Sequence, residues 1–434
     1  MQENQELKAA CKQAAANRTG SIQTHRVVIT GTGAITPAGI GVDALWRAVT
    51  GGKCCITPLP QDKYAEYHAH VAGQIPGYDP AEFFDRKECR RLSRFVQLAI
   101  IASEEAIKQA GIDPAAEDTA RFACVFGSGI GSLSAFQREV TNLVQGGPRK
   151  VSPLFIPTMI SNMAAGNLAI RYGLRGECTN IVTACATGTH CVGEAFRLIK
   201  TGLADVALCG GTEESINPMA IAGFGNLGAL SREEDPTKAS RPFDAERNGF
   251  VAGEGGAALI LESLEHAQAR GANIIAEVVG FGSTGDGYHM TAPEPHGEGA
   301  VRAMAQALEE AGFTPQDLGH INAHGTSTHA NDAMEAAALQ TLAGDATVNI
   351  PVTSIKGCTG HMLGAAGAAE AIVCALSVAR GVVPPVVGFA TPDPEAPANV
   401  SNKLREGIPQ KVALSNSFGF GGHNASLALS PFFG

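Results

Sequence analysis

The chain has 434 residues, with 17% charged, 6% aromatic, 52 glycines and a formal net charge of −10. That length exceeds what one hydrophobic core organises, so two domain-sized units are expected. The acidic balance argues against nucleic acid as a partner. The 11 cysteines include no C-x-x-C pair, which argues against a disulfide framework or a metal site and for a reducing compartment.

Residues 1–24 are polar and Ala/Gln-rich, which predicts a flexible N-terminal arm. They contain no secretory signal, and Glu3 and Glu6 make a poor transit peptide. Uncharged stretches elsewhere are broken by Ala and Gly, short of the ~20 strongly apolar residues of a membrane helix. A soluble cytoplasmic protein without a membrane span is expected, the alternative being a plastid or mitochondrial matrix protein after removal of a targeting peptide.

In chain order, two copies of one plan emerge. Arg26–Gly33 and Ala276–Ser283 are each a strand running into glycines. The helices ending Ala106–Ala110 and Ala307–Ala311 are each closed by glycine, Gly111 and Gly312. A short strand then meets a glycine turn, at Phe122–Gly129 and at His320–Ser327. Third come two strand-to-helix elements, one around Cys185 and one running from Val352 through His361 into Leu363–Leu376. The latter helix has one charged residue, Glu370, among small and apolar ones, so it should be buried on all sides. The helix after Cys185 is similar. Two buried helices fit between two sheets, with amphipathic helices such as Ser103–Ala110 and Val301–Ala311 outside. The expected fold is α/β, a duplicated unit in a five-layer α/β/α/β/α sandwich, divided into 25–274 and 275–434.

Chemistry concentrates where strands end. Ile181-Val182-Thr183 reads as the end of a buried strand, which places Cys185 at a helix N-terminus. The helix dipole and free N–H groups there favour a thiolate, although a lone cysteine also suits a plain core position. His324, Lys356 and His361 lie at strand ends facing the same expected cleft, His361 at a position corresponding to the region after Cys185. One thiol with two imidazoles suits acyl transfer from a thioester. The cysteine forms an acyl-enzyme, and neutral imidazoles donate hydrogen bonds to a developing enolate oxygen. A nearby lysine keeps the rings neutral by lowering their pKa. Finally, Lys87, Arg90, Arg91 and Arg94 fall at i, i+3, i+4 and i+7, a single face if the stretch is one helix. Arg149 and Lys150 form a second basic pair.

Four blocks carry a family resemblance: Thr183-Ala184-Cys185-Ala186-Thr187-Gly188, Asn322-Ala323-His324-Gly325-Thr326-Ser327-Thr328, the run from Lys356 to Gly367, and Asn416-Ser417-Phe418-Gly419-Phe420-Gly421-Gly422. From about Arg26 onward the chain resembles the elongating β-ketoacyl-[acyl carrier protein] synthases of the thiolase superfamily, the type II subclass most closely. Lys150–Pro153 and Arg241–Asp244 share in the match. The resemblance implies the thiolase fold, a homodimer, no cofactor, and acyl- and malonyl-loaded acyl carrier protein as partner. It implies that Cys185 accepts the acyl group, that His324 and His361 hold the malonyl thioester and promote decarboxylation, and that Lys356 supports the pair. Backbone N–H groups of Cys185 and Phe420 form the oxyanion hole, and Thr326 and Thr328 meet the pantetheine arm. Ile130, Phe224, Phe418 and Phe420 line or gate the acyl pocket, with Phe155 entering across the dimer interface. Lys87, Arg90, Arg91, Arg149 and Lys150 surround the tunnel mouth, where an acidic carrier docks.

The chain departs from the family pattern at His329, His423 and Gly228, where Pro, Thr and a basic residue are usual. A thiolase is disfavoured because Phe418-Gly419-Phe420 stands where its second cysteine belongs. An initiating synthase has Asn in place of His361, and a silent partner subunit lacks Cys185. A cysteine hydrolase is disfavoured by the lack of a carboxylate or amide orienter in these turns. A discrete polyketide ketosynthase shares the same active site.

Overall fold

In a computed structural model the described residues are 24–433, so the arm expected over 1–24 lies outside them save for Thr24. Ten strands carry the architecture. The first half contributes β1 (Val27–Thr36), β2 (Phe122–Gly127), β3 (Cys178–Thr179), β4 (Val206–Glu213) and β5 (Gly255–Ser263). The second contributes β6 (Ala276–Gly285), β7 (Leu318–Asn322), β8 (Val352–Thr353), β9 (Val412–Gly419) and β10 (His423–Ser430). The spatial order is β3-β2-β4-β5-β1 in one half and β8-β7-β9-β10-β6 in the other. Each position matches in direction as well: the pairs β1–β5, β5–β4, β6–β10 and β10–β9 are antiparallel, while β4–β2, β2–β3, β9–β7 and β7–β8 are parallel. The duplication read from the sequence is therefore a duplication of topology.

One expectation changes. The half-sheets are not separate, because Val27–Ile29 of β1 pairs antiparallel with Ala276–Val278 of β6. The result is one continuous eleven-stranded sheet, Gly39–Ile40 supplying the extra strand.

The layering follows from which strand faces are apolar. Helices α1 (Arg94–Ala110) and α2 (Met163–Tyr172) cover the outer face of the first half, and α4 (Glu298–Ala311) and α5 (His329–Ala343) that of the second. Between the half-sheets lie α3 (Thr187–Lys200) and α6 (Ala366–Arg380). Three hydrophobic clusters correspond to these three helical layers, the central one holding Val192, Phe196, Ile372 and Leu376. The stretch Leu363–Arg380 is long and apolar enough to cross a membrane by composition, but 89% of it is buried inside the protein, as a core helix should be.

Glycines let the outer helices sink onto the strands. A Cβ on Gly33 would lie 1.9 Å from the Ala102 carbonyl oxygen, and one on Gly31 2.2 Å from that of Ala106. Gly282 and Gly280 repeat this against Ala303 and Ala307, at 1.8 and 2.1 Å. Gly111 and Gly312 then end α1 and α4 with left-handed φ of 63° and 72°. Gly33→Ala and Gly282→Ala should each cost about 1–3 kcal/mol by overpacking. Gly111→Ala, with nothing within 4 Å of a Cβ, should cost less, about 1 kcal/mol, the low end of the penalty for its left-handed backbone. Urea titration of the three variants checks the order, and equal losses would contradict it.

Candidate active site

The reactive turn is built by local geometry. Ile181–Thr183 is irregular, not the buried strand end expected, because the strand there is confined to Cys178–Thr179, and Val182 is exposed. Ala184 takes a left-handed φ of 49°, and Ala184–Ala186 forms a 3₁₀ turn that runs directly into α3. Cys185 thus stands at a helix start, as expected, and is buried. Gly419, at the end of β9, makes the next element possible. A Cβ there would lie 2.5 Å from the Thr183 carbonyl oxygen and 3.3 Å from the Cys185 nitrogen, so only glycine lets the Phe420 turn approach. The Phe420 backbone N–H favours the charged form of the Cys185 sulfur, and beyond it Gly421 and Gly422 both adopt positive φ.

Burial changes the expected protonation of the thiol. It pushes Cys185 up to about 12, outweighing the pull of Lys356 and of the Phe420 N–H. At rest the sulfur is a thiol, and the helix N-terminus serves the thiolate only as it forms.

The imidazoles come from the second half. His324 follows β7 and His361 follows the short helix Lys356–Thr359; their ring centroids are 5.3 Å apart, nearly perpendicular. His361 lies three residues before Gly364, the topological counterpart of Cys185. Its own counterpart is therefore Val182, before the cysteine and not after it as the sequence suggested. Both histidines are held well below the usual imidazole range, first by burial and then by Lys356. The rings are neutral as expected, but burial, not the lysine, is the larger cause.

Lys356 is itself buried. Its Nζ donates to the His324 carbonyl at 2.5 Å, pairs with Glu370, and lies 3.4 Å from His324 Nδ1. An ammonium facing Nδ1 leaves the ring proton on Nε2, so His324 presents a donor. Neither ring nitrogen of His361 has a partner among the described residues. Leaving such a group unpaired costs about 1–3 kcal/mol, a cost that an acceptor entering the cleft would relieve.

Three carboxylates that the sequence did not place at the site stand behind these turns. Glu335 accepts the backbone N–H groups of His324 and Gly325 at 2.9 and 2.8 Å, fixing the histidine turn. Glu370 balances Lys356. Glu213 accepts from Ser128, Gly129, Ile130 and Gly364. None of the three bonds a histidine ring, so none orients an imidazole as a hydrolase would require. Only Glu370 left a sequence signal, as the lone charge on an apolar helix.

A cleft of about 390 Å³ joins these groups, lined by Cys185, His324, His361, Phe224, Phe418 and Phe420. Thr326, Thr328, Gly228 and the exposed His329 also line it. The two threonine hydroxyls are 2.9 Å apart, and that of Thr328 also caps α5. Two pocket residues expected from sequence fall outside this cleft. Ile130 is 38% exposed on the turn after β2, and Phe155 rests on Phe136 at a centroid distance of 6.3 Å. His423 does not line the cleft; its ring lies beneath Gly421.

The basic face is shorter than the spacing suggested. The helix spans only Arg86–Arg91, started by a capping box between Asp85 and Glu88 and ended by extended Leu92. Arg94 belongs to α1 and turns inward, bonding Glu254 through two nitrogens at 2.7 Å and covering the Tyr78 ring. Lys87, Arg90, Arg91, Arg149 and Lys150 remain exposed.

A duplicated five-layer fold with one cysteine and two neutral imidazoles at its central cleft is the arrangement of the ketosynthases of the thiolase superfamily. The chain belongs to the β-ketoacyl synthase family: the model of its N-terminal domain matches residues 24–267 and that of its C-terminal domain residues 275–390. It is 45% identical over 410 residues to 3-oxoacyl-[acyl-carrier-protein] synthase 2 of Staphylococcus aureus, covering 94% of this chain and 99% of that one. It is 43% identical over 413 residues to the protein of the same name from Synechocystis sp., covering 95% and 99%. A β-ketoacyl synthase structure from Burkholderia phymatum superposes with a TM-score of 0.87 at 35% identity, covering 94% of this chain and all of that one. So does a type II PKS ketosynthase solved with its acyl-carrier protein, at TM-score 0.87 and 32% identity over 95% of this chain and all of that one.

The thiol at about 12 makes a prediction. Only the thiolate is alkylated, so the rate of Cys185 modification by iodoacetamide should keep rising through pH 7–10, about tenfold per pH unit. A plateau below pH 8, followed by intact mass, would show a preformed thiolate instead.

Proposed function

We propose that the protein catalyses the decarboxylating condensation of an acyl-[acyl carrier protein] with malonyl-[acyl carrier protein], giving 3-oxoacyl-[acyl carrier protein] and CO₂, the elongation step of fatty acid biosynthesis. The observation that carries this reading is the opposition of one buried thiol to two neutral, partly unpartnered imidazoles across a single cleft. A polyketide ketosynthase is less favoured, because the 3-oxoacyl synthases stand at 45% identity and the polyketide enzyme at 32%. The ten cysteines of the described residues are free thiols, in keeping with a cytoplasmic enzyme.

In the first half-reaction the Cys185 sulfur attacks the acyl thioester, the S–H proton leaves with the carrier thiol, and the acyl group stays on Cys185. The N–H groups of Cys185 and Phe420 hold the oxyanion. In the second, malonyl thioester loses CO₂, and the enolate oxygen accepts from His324 Nε2 and from His361. The enolate carbon then attacks the acyl-enzyme, and the released thiolate takes up a proton. Lys356, neutralised by Glu370, keeps Nδ1 of His324 an acceptor, so that the opposite nitrogen stays a donor.

The units are 25–274, which carries the nucleophile, and 275–434, which carries the histidines and Lys356. Thr326 and Thr328 receive the pantetheine arm, and Phe420 gates the acyl pocket, whose walls are Phe224, Phe418, Ile130 and Phe155. The last two complete the pocket in a homodimer. Exposed Phe136, Val140, Leu143, Val144, Leu154 and Ile156 around Phe155 form the kind of apolar patch that a second copy covers. Lys87, Arg90, Arg91, Arg149 and Lys150 receive the carrier.

Cys185→Ala should abolish acyl transfer, read as loss of the acyl mass on intact protein. His324→Ala and His361→Ala should still load acyl groups but release labelled CO₂ from malonyl carrier roughly a hundredfold more slowly. Near-normal release in both would remove the pair from the chemistry.

Reversing charge at Lys87 and Arg90 together should raise KM for carrier-bound substrate about threefold to tenfold, in a salt-sensitive way. Small thioesters should be used as before, and equal losses on both substrate types would make the face structural.

A further inference from the structure

The two halves correspond residue by residue around the cleft. Glu213 ends β4 and pairs with Gly255, the first residue of β5; Gly419 ends β9 and pairs with His423, the first residue of β10. Glu213 is thus the counterpart of Gly419. Strand register extends the match: Val125 pairs with Cys209, and Asn322 with Ser415. Gly127 is therefore the counterpart of His324. Ala184 and Leu363 share a rare left-handed φ, 49° and 47°, each opening a 3₁₀ turn before a central helix. Gly364 is the counterpart of Cys185, and Val182 that of His361. The fold therefore contains a second cradle, related to the active one by its internal symmetry and carrying neither thiol nor imidazole.

That second cradle is filled. Where the active copy has glycine and leaves the Cys185 N–H free, the silent copy has a glutamate. Glu213 is 1% exposed. Its Oε2 accepts the Gly364 N–H at 3.0 Å and the Gly129 N–H at 2.9 Å. Its Oε1 accepts the Ser128 hydroxyl at 2.7 Å and the Ile130 N–H at 3.3 Å. An anion at the start of a helix, received by backbone N–H groups, is what an oxyanion cradle is made to hold. Here the acceptor is a carboxyl of the chain itself, which burial pushes up to about 7 while its four donors favour the charged form.

We propose that Glu213 is a positioning residue whose carboxylate fills the second cradle and thereby fixes the turns on both sides of Cys185. The geometry gives the route. Gly129 is pressed between Glu213 and Ala184, since a Cβ on it would lie 2.8 Å from the carboxylate and 3.2 Å from the Ala184 carbonyl oxygen. Gly364 is pressed between the carboxylate and Gly129 in the same way, at 2.7 and 2.6 Å. Without the anion, three backbone N–H groups and a hydroxyl lose their shared acceptor, and the turn carrying Ala184 and Cys185 loses its support. The inference rests on the acyl-transfer reading for its readout but not for its geometry.

The test is chemical rescue. Glu213→Ala opens a carboxylate-sized gap at the four donors. Single-turnover loading of Cys185 from acyl carrier, followed by intact mass, should slow about tenfold to a hundredfold, as a misplaced nucleophile does. Sodium formate or acetate should restore loading saturably, and chloride at equal concentration should not. Glu213→Gln still fills the gap but offers one acceptor oxygen, and it should load slowly without rescue. Wild-type loading rates in Glu213→Ala, or a loss that neither formate nor acetate relieves, would overturn the proposal. Should Glu213→Ala fail to fold, refolding followed by circular dichroism replaces loading as the readout. Dependence on formate supports the anion's role there, and indifference to it overturns it. If wild-type protein itself takes no acyl group, the failure belongs to the proposed function and not to Glu213.

Discussion

Everything at the cleft depends on how closely the two central helix starts approach one another. A Cβ on Gly188 would lie 2.7 Å from the Ala368 nitrogen, and one on Gly211 2.1 Å from the Gly364 carbonyl oxygen. A Cβ on Gly367 would lie 2.1 Å from the Thr189 hydroxyl. Backbone meets backbone where any side chain would hold it off. That approach draws the cysteine of one half and the histidines of the other to a single cleft, and it excludes water from the space behind them.

Exclusion of water then sets the electrostatics. Desolvation is the first cause of every large shift at the site: thiol up, both imidazoles down. Further polar groups are buried behind the reacting atoms, where burial raises the carboxyls of Glu370 and, to about 7, of Glu335. Lys356 is buried against Glu370, and Glu335 is spent on two backbone N–H groups. A buried ion pair is weak support for stability. Its value here is geometric, since it places an ammonium against one nitrogen of His324, whose ring lines the cleft.

Duplication explains why one fold holds so asymmetric a site. Both halves supply a turn, a helix N-terminus and a strand end in the same places. The active copy spends its positions on Cys185, His324, His361 and Gly419. In the silent copy those positions are Gly364, Gly127, Val182 and Glu213, so the thiol and both imidazoles lie on one side of the symmetry axis and packing on the other.

Much of this was legible in the chain itself. Glycine-closed helices, strands running into glycines and a helix apolar nearly all round are local patterns, set by backbone and hydrophobic preferences that act over a few residues. They were enough for the duplication and the central burial of α6, and the four motif blocks were enough for the family. What required the tertiary structure was everything decided by a partner far away in sequence. Arg94 left the basic face because the extended Leu92 ends the helix early and Glu254, 160 residues on, receives its guanidinium. Glu213 and Glu335 look like surface carboxylates until the fold brings backbone donors to them. The sequence by itself determined which residue types could react. Which of them are desolvated, and therefore which carry a proton, was decided only by tertiary packing, because desolvation depends on what the rest of the chain places around a group.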